Sequence, residues 1–313
     1  MEITTYMTTR NMLEDDWEQV SHLDTRAFNV YFQKTGSELL TTHRTRQNLC
    51  ANLAMNPTGC FVSADSESLN GYIFSRAWGK IGWFGTFGLD PAVHGQGLGQ
   101  QLLRLAVDNL QQAGCTTIGL ETMSDAPSNI GLYTGFGFNP LHPTLILTQP
   151  AAAAPVALPC APLSQLNEGQ ALPLISSISQ SARPELDCAR EAHNAREFGW
   201  GETLLLGWPQ PWGFAIIRTI AIRGTNPAPV CEVCALALQP AARGRLDEVL
   251  QLLRNYAFEK QVSQLVLPVN TVDSAALQVV ISHGFRVDRA VLRFVYGGSY
   301  PPPAGLEFCR WAM

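Results

Sequence analysis

The chain has 313 residues, a length that predicts two domains of about 150 residues each. Hydrophobic residues make up 46% of the sequence and charged residues only 15%, which excludes the charge-rich class of disordered proteins. The net charge of −5 gives no general attraction to nucleic acid or to an anionic membrane, and no apolar run approaches the roughly 20 residues of a membrane helix. The sequence predicts a globular protein that binds neither nucleic acid nor membranes.

Cysteine and histidine usage predicts a reduced, cytoplasmic protein without a metal centre. The 8 cysteines are scattered along a chain too large to need a disulfide framework, and the first residues lack the basic and apolar regions of a secretory signal. Cys231 and Cys234 have zinc-knuckle spacing, but no second pair accompanies them and the run is apolar. A buried strand is therefore the favoured interpretation of that segment.

Hydrophobic periodicity and turn residues predict the elements of the first half. In chain order they are a helix at 10–32, strands at 59–64, 69–78 and 80–89, a helix at 97–113, a strand at 116–122, a helix at 128–134 and strands at 136–138 and 144–148. The helix at 97–113 has the clearest pattern, because leucine and alanine recur on one face and Gly114 follows as a C-cap. The three strands before it are predicted to form an antiparallel meander.

A proline- and alanine-rich stretch from Gln149 to Pro162 has the composition of a linker and cannot build a core. It divides the chain into predicted domains at 1–150 and 151–313. The second half repeats landmarks of the first. The segment PAVHGQ at 91–96 recurs as PAARGR at 240–245, an offset of 149 residues. The Gly137-Phe138 pair that closes the first copy recurs as Gly284-Phe285, an offset of 147 residues. The chain is predicted to use one fold twice.

The strongest chemical signal is the loop His94-Gly95-Gln96-Gly97-Leu98-Gly99 between a predicted strand and a predicted helix. Glycines let backbone N–H groups converge, and the helix N-terminus adds a partial positive charge, which together suit a pyrophosphate. A tight turn without a ligand is the plain alternative. A Walker loop is disfavoured because no Lys-Ser/Thr follows the last glycine, and a Rossmann domain because an antiparallel meander precedes the loop.

Two motifs resemble blocks of a known superfamily. The run LDPAVHGQGLGQQLL from Leu89 to Leu103 resembles the acyl-CoA signature Arg/Gln-x-x-Gly-x-Gly/Ala of the GNAT N-acyltransferases. The run NIGLYTGFGF from Asn129 to Phe138 is similar to that superfamily's second block, an Asn followed by Leu-Tyr and Gly-Phe. The order and separation of the motifs also fit. The resemblance covers residues 1–150 and continues more weakly through 160–298, as in the tandem GNAT proteins.

The resemblance implies an α/β fold of two tandem domains, each a mostly antiparallel mixed sheet that splays between its fourth and fifth strands and carries flanking helices. Acetyl-CoA would enter the splay as co-substrate. The cofactor-binding residues implied are Leu89, whose backbone would hold the pantetheine arm, Asn129, and the loop residues His94, Gly95, Gln96, Gly97, Leu98 and Gly99. His94 stands where the superfamily has Arg or Gln, so pyrophosphate binding would depend on backbone donors and the helix dipole.

Acyl transfer to an amine requires a base for the amine, stabilisation of the oxyanion and an acid for the departing thiolate. The resemblance assigns the acid to Tyr133, with a core-packing tyrosine as the alternative role. The predicted fourth strand carries no carboxylate, so Glu121 and Asp125 are the candidate bases. Each also fits a solvated surface acid or helix cap, and a water chain, or a substrate amine whose pKa is already low, would need no dedicated base.

The second copy retains the predicted fold but lacks the site residues. Gly97, Leu98 and Gly99 correspond to Leu246, Asp247 and Glu248, which places carboxylates where a pyrophosphate would lie. In the second motif Val280 stands at the position of Tyr133, and Ala276 at that of Asn129. The second half is therefore predicted to be degenerate and to shape the substrate cleft.

The predicted function is an acetyl-CoA-dependent N-acetyltransferase that acts by direct attack of an amine within a ternary complex. A non-catalytic acyl-CoA-binding regulatory module is the alternative. The acceptor is expected to be a small-molecule or peptide amine. The sequence is compatible with a homodimer as well as with a monomer.

Overall fold

A computed structural model describes residues 7–34, 41–66 and 68–310 of the chain. The helices are α1 Trp17–Lys34, α2 Arg46–Met55, α3 Leu98–Gln112, α4 Pro127–Phe136, α5 Glu168–Ala182, α6 Ala189–Glu197, α7 Leu246–Glu259 and α8 Ser274–Ser282. The strands are β1 Thr8–Asn11, β2 Cys60–Ala64, β3 Leu69–Trp78, β4 Ile81–Leu89, β5 Thr117–Met123, β6 Phe138–Pro140, β7 Thr144–Pro150, β8 Cys160–Pro162, β9 Gly201–Leu206, β10 Gly213–Ile220, β11 Pro229–Leu238, β12 Gln264–Asn270, β13 Arg286–Tyr296 and β14 Leu306–Cys309.

These strands form one 14-stranded sheet that has a symmetric order. The path runs β1-β2-β3-β4-β5-β13-β7-β12-β11-β10-β9-β8, while β6 pairs with β13 and β14 pairs with β11. Among the described residues, parallel pairing occurs between β4 and β5 and between β11 and β12, and the other pairs are antiparallel. The predicted α/β class, with a mostly antiparallel mixed sheet and flanking helices, is confirmed.

The two halves of the sequence exchange their closing strands. Strand β7 precedes the linker but pairs with β12, whereas β13 comes near the end of the described chain but pairs with β5. The two exchanged strands also pair with each other at the centre of the sheet. Each half of the sheet is therefore completed by a strand from the other half of the sequence.

Helices cover both faces of the sheet, because residues of the central strands alternate between two hydrophobic layers. Trp83 packs in the layer that contains α2, α5 and α6, and α1 packs with α2 on the same face. The next residue, Phe84, packs under α3 and α4, and α7 and α8 cover the corresponding part of the second half. No helix of the described residues is long and apolar enough to cross a membrane.

The structure confirms most of the elements predicted in the first half and corrects its beginning. Residues 10–16 do not belong to the first helix, because Thr8–Asn11 pairs with β2 and a 3-10 turn at Glu14–Asp16 separates this strand from α1. Helix α2 was not predicted, and it begins where the Thr45 side chain accepts a hydrogen bond from the Asn48 N–H. Cys231 and Cys234 both lie buried in β11, as the strand interpretation predicts.

Buried ion pairs link the helices and strands of the two halves. The Arg76 guanidinium of β3 binds the Glu191 carboxylate of α6 at 3.0 Å, and the Trp78 indole N–H donates to the same carboxylate at 3.0 Å. Both partners of the Arg76–Glu191 pair are almost fully buried. Removing one of them would leave a charge without compensation in the interior, so loss of either partner would destabilise the packing of α6 on β3.

Candidate active site

The sheet opens between β4 and β5. The two strands pair from Ile81↔Thr117 to Phe84↔Leu120 and then separate, although β4 continues to Leu89 against β3 on its other edge. An irregularity in the β3–β4 register between Ile73 and Ser75 places two β4 residues, Gly85 and Thr86, opposite one β3 residue, so β4 gains one extra residue at this point. Residues 85–89 of β4 and 121–123 of β5 therefore border a gap with unpaired strand edges, as expected for a splay between the fourth and fifth strands.

The glycine loop lies at the end of β4. The Asp90 carboxylate accepts a hydrogen bond from the Ala92 N–H, and a short 3-10 turn over Pro91–Val93 follows. Gly95 and Gly97 take the left-handed conformation with φ of 80° and 81°, and a Cβ built on either one would meet no atom within 4 Å. The loop surface in front of these glycines is therefore open.

Backbone donors of this loop are free. Within the described part of the chain, the N–H groups of Gly95, Gly97, Leu98 and Gly99 donate to no protein acceptor. Three of them belong to the cap and first turn of α3, where the helix dipole adds positive potential. The Gln96 side chain folds back and donates to the Ala92 carbonyl at 3.3 Å, so it closes the loop. His94 is exposed beside these donors.

The other two predicted cofactor residues lie along the same gap. The Leu89 side chain lies under the start of α3, 3.3 Å from where a Cβ on Gly99 would be. Asn129 is exposed in the first turn of α4, and its amide nitrogen is 3.5 Å from the Thr122 hydroxyl. A larger residue at position 99 would require the end of the Leu89 side chain to shift by a few tenths of an ångström.

Tyr133 lies beneath the gap in an aromatic cluster. Its ring packs against Phe84 at 6.2 Å, Phe138 at 6.4 Å and Phe294 at 6.1 Å between centroids, and 6% of the residue is exposed. Its hydroxyl forms no hydrogen bond to the residues that the structure describes. Burial raises the pKa of Tyr133, so the hydroxyl holds its proton and is a neutral donor.

Glu121 is not a solvated acid. It is the first residue of β5 beyond the last pair with β4, and its side chain is 1% exposed. Its Oε1 accepts hydrogen bonds from the Arg293 Nε at 3.0 Å, an Arg293 terminal nitrogen at 2.8 Å and the Thr144 hydroxyl at 2.8 Å. The second carboxylate oxygen, Oε2, is buried and has no hydrogen-bond partner within the described ranges of the chain.

Arg293 was missed by the sequence analysis, although it pairs with a predicted site residue. It lies 172 positions from Glu121, on the strand that the second half contributes. Burial alone would lower the pKa of Arg293, but the Glu121 carboxylate and other nearby groups raise it overall, so the guanidinium is charged. An arginine inside the apolar run from Ala290 to Tyr296 was the one sequence signal available.

Asp125, the other candidate base, lies in the loop after β5 and is exposed. It accepts a hydrogen bond from the Tyr31 hydroxyl at the end of α1. The structure therefore places the two candidate bases in different surroundings, one buried beside the gap and one on the surface.

The corresponding gap in the second half is filled. Strands β11 and β12 pair only at Cys231↔Leu265 and Glu232↔Val266. Beyond that point β14 pairs with β11 from Ala235↔Cys309 to Leu238↔Leu306 and contacts β12. Leu306, Phe308 and Cys309 are all buried there. A segment of the chain itself thus occupies the place that is open in the first half.

The loop of the second half also differs in conformation. Residues Pro240–Arg245 form a continuous 3-10 helix that leads directly into α7, and the Leu246 N–H donates back to the Arg243 carbonyl. Glu248 in the first turn pairs with Arg245 at 2.6 Å, and Asp247 binds the His283 ring at 2.6 Å. Carboxylates therefore stand at this helix N-terminus, where the first half presents free N–H groups.

Comparisons with known proteins agree with this geometry. The model of the acetyltransferase (GNAT) family matches residues 17–138. A mycothiol acetyltransferase of Nocardia farcinica (strain IFM 10152) is 28% identical over 95 residues, which are 28% of this chain and 31% of that protein. The chain thus matches about a third of the length of this curated relative.

Solved structures of the same fold cover nearly the whole chain. A Pyrococcus horikoshii protein described as a candidate acetyltransferase superposes with a TM-score of 0.68 at 16% identity, over 100% of this chain and 98% of the other. A GCN5-related N-acetyltransferase from Sphaerobacter thermophilus has a TM-score of 0.62 at 11% identity, over 98% of both chains. A tandem GNAT protein from the clavulanic acid biosynthesis pathway has a TM-score of 0.60 at 12% identity, over 96% and 99%. At these identities the likeness concerns the fold.

Proposed function

Because the chain contains a GNAT acetyltransferase domain that spans residues 17–138, we propose that it is an acetyl-CoA-dependent N-acetyltransferase with one active site, at the gap between β4 and β5. One observation carries the proposal. An open gap between two strands leads to a loop in which the N–H groups of Gly95, Gly97, Leu98 and Gly99 donate to no acceptor among the described residues. The unpaired strand edge suits an extended amide-containing arm, and the free N–H groups suit a pyrophosphate.

The residues of the loop and gap fit acetyl-CoA as the co-substrate. The N–H groups between His94 and Gly99 would hold the pyrophosphate, with the left-handed glycines leaving room for it. The free edge of β4 at Leu89 would hold the pantetheine arm, and Asn129 is exposed on the opposite side of the gap. The loop itself contains no lysine or arginine, so affinity would come from backbone donors and the dipole of α3.

Two side chains would handle the protons of the reaction. The acceptor nitrogen attacks the thioester carbonyl in a ternary complex, the carbon–sulfur bond breaks, and the acetyl group forms an amide. Glu121 would accept the amine proton on Oε2, the oxygen that Arg293 does not occupy. Tyr133, kept protonated by burial, would donate its proton to the departing thiolate.

The second half, residues 151–313, would be a degenerate copy that turns over no acyl-CoA. The filled gap and the carboxylates at Asp247 and Glu248 support this proposal. The acceptor would be an amine of a small molecule or a peptide that reaches the gap in the first half.

The experiment measures release of free CoA thiol when the full chain is mixed with acetyl-CoA and a panel of primary amines. We expect amine-dependent thiol release and one acetyl-CoA site per chain by calorimetry. Binding of acetyl-CoA without thiol release for any amine would contradict the enzymatic proposal, and two tight sites would contradict the degenerate second copy.

A further inference from the structure

Two buried polar atoms without partners border the open gap. The Glu121 Oε2 belongs to the first β5 residue beyond the last β4–β5 pair, and the Thr86 Oγ1 belongs to the second β4 residue beyond it. Each is buried and has no hydrogen-bond partner among the residues that the structure describes. Leaving such atoms unsatisfied is costly, about 1–3 kcal/mol for a typical group. The two atoms therefore mark a place where donor groups are missing.

The second half provides an internal comparison for these positions. At the repeat offsets of 149 and 147 residues, Thr86 corresponds to Ala235 and Glu121 to Pro268. Arg293 corresponds in the same way to Ile146, and Ile146 pairs with Pro268 just as Arg293 pairs with Glu121. The fold is thus complete with apolar residues at all of these positions. The polar set in the first half is not needed to build the sheet.

Arg293 orients the carboxylate toward the gap. Two of its nitrogens bind the Oε1 of Glu121, and a further hydrogen bond to the Cys309 carbonyl at 3.1 Å anchors the guanidinium. The guanidinium also lies 5.5 Å from the Trp83 ring centroid and 5.6 Å from that of Tyr300. Because Oε1 is occupied by these donors and by Thr144, Oε2 is the oxygen left for a ligand.

We propose that Glu121 Oε2 and Thr86 Oγ1 form the subsite that binds the nitrogen of the acceptor amine, and that Arg293, supplied by the second half, is its positioning residue. An amine or ammonium nitrogen brings the N–H donors that both oxygens lack. The substrate class is a primary amine, because its neutral, nucleophilic nitrogen still has two N–H groups, one for each oxygen, whereas a neutral secondary amine has one. This inference rests on the proposed function and adds the contribution of the second half.

The test uses the full chain saturated with CoA and titrated by calorimetry with ethanolamine, benzylamine, spermidine and glycinamide. Benzyltrimethylammonium, which has the charge but no N–H donor, is the matched ligand control. We expect binding of at least one of the four amines, no binding of the trimethylated ion, and CoA affinity unchanged within about twofold in all variants. E121Q and R293M should each weaken amine binding at least tenfold, and T86V about threefold.

Coupling between the variants separates positioning from general damage. Adding R293M to the E121Q variant should weaken amine binding by less than about a further twofold, because both changes disable the same carboxylate. R293K, which keeps a cation, should bind the amine more tightly than R293M does. It replaces R293M in the test if R293M does not fold. The controls are R289M, an exposed arginine on the same strand, and T203V, a buried threonine hydroxyl without a partner in β9.

Equal amine affinity in wild type, E121Q and R293M would overturn the inference, as would the absence of binding for all four amines. Thiol release by the wild-type chain is measured separately with acetyl-CoA. If amines bind at this subsite and no acetyl transfer follows, the proposed function fails while the subsite stands.

Discussion

The two gaps in this sheet have the same topology and opposite contents. Between β4 and β5 the strands separate and leave unpaired edges, whereas β14 occupies the space between β11 and β12. Buried side chains of β14 such as Leu306 and Phe308 fill the second gap, while at the first gap Glu121 Oε2 and Thr86 Oγ1 have no hydrogen-bond partner in the described part of the chain. The comparison shows that the fold tolerates either a filled or an open gap, so an open one has a reason outside the fold.

The loops before α3 and α7 show the same contrast between an open and an occupied site. Free N–H groups and left-handed glycines occur before α3, and a continuous 3-10 helix followed by carboxylates occurs before α7. The free N–H groups and partial positive charge of a helix N-terminus can be compensated by an external anion or by acidic side chains of the helix itself. In the second half the chain supplies both the strand that fills the gap and the acids at the helix.

The largest effect on acetyl-CoA binding should come from placing in the first loop the acidic residue that the second loop carries at the corresponding position, Glu248. Gly99→Glu adds a carboxylate to the first turn of α3, with its Cβ among the Leu89, Phe87 and Leu132 side chains. If this carboxylate lies about 5 Å from the proposed pyrophosphate, the two like charges repel by about 3 kcal/mol at an effective dielectric of about 20. We expect the Kd for acetyl-CoA, measured by calorimetry, to rise about 100-fold. Gly99→Gln, which has nearly the same size without the charge, is the control and should stay within about fivefold.

The seating of β14 in the second gap can be tested at Gly305. A Cβ there would lie 2.2 Å from the Leu238 carbonyl oxygen and 2.8 Å from the Ala182 Cα, both backbone atoms. Gly305→Ala should therefore lower the free energy of unfolding by about 2 kcal/mol, measured by urea denaturation. Gly298→Ala is the matched control, because the nearest neighbouring atom to its Cβ, the Tyr296 carbonyl oxygen, would be 3.8 Å away. Equal stability of both variants would show that β14 is not tightly seated.

Tyr133 tests the chemistry of the open gap. Tyr133→Phe should lower kcat at least about tenfold while acetyl-CoA affinity persists, because only the proton donor is lost. Tyr296→Phe, which removes a hydroxyl from the same aromatic region, should leave kcat unchanged. Since burial raises the pKa of Tyr133, its neutral form persists to higher pH, and a kcat profile should show no loss from this group up to about pH 9.5. An unchanged kcat in the Phe variant would remove Tyr133 from the mechanism.

The smallest effect should come from the reverse change in the second loop. Glu248→Gly removes one carboxylate from the start of α7, yet β14 still fills the gap. Calorimetry should therefore continue to find one acetyl-CoA site per chain. A second site in this variant would mean that the loop, and not the filled gap, excludes the ligand.

Local sequence patterns determined much of the first half. The glycine loop, α3 and the strands of the meander were predicted because periodicity, turn residues and caps act over short distances. The resemblance to the GNAT superfamily, carried by the runs from Leu89 to Leu103 and from Asn129 to Phe138, is confirmed by the family match. Strand β1 and helix α2 were missed, because Thr8–Asn11 is a short, mostly exposed edge strand and Arg46–Met55 has hardly any amphipathic pattern.

By itself, the sequence determined that one fold is used twice and that only the first copy carries the glycine loop and Tyr133. Only the tertiary structure decided that β7 and β13 change places, that Arg293 reaches Glu121 and that β14 fills the second gap. Strand pairing and ion pairs between distant residues depend on which edges meet in space, and an isolated β pattern does not specify its partner. The duplication could be read from the chain, but the contact between Glu121 and Arg293 required the assembled sheet.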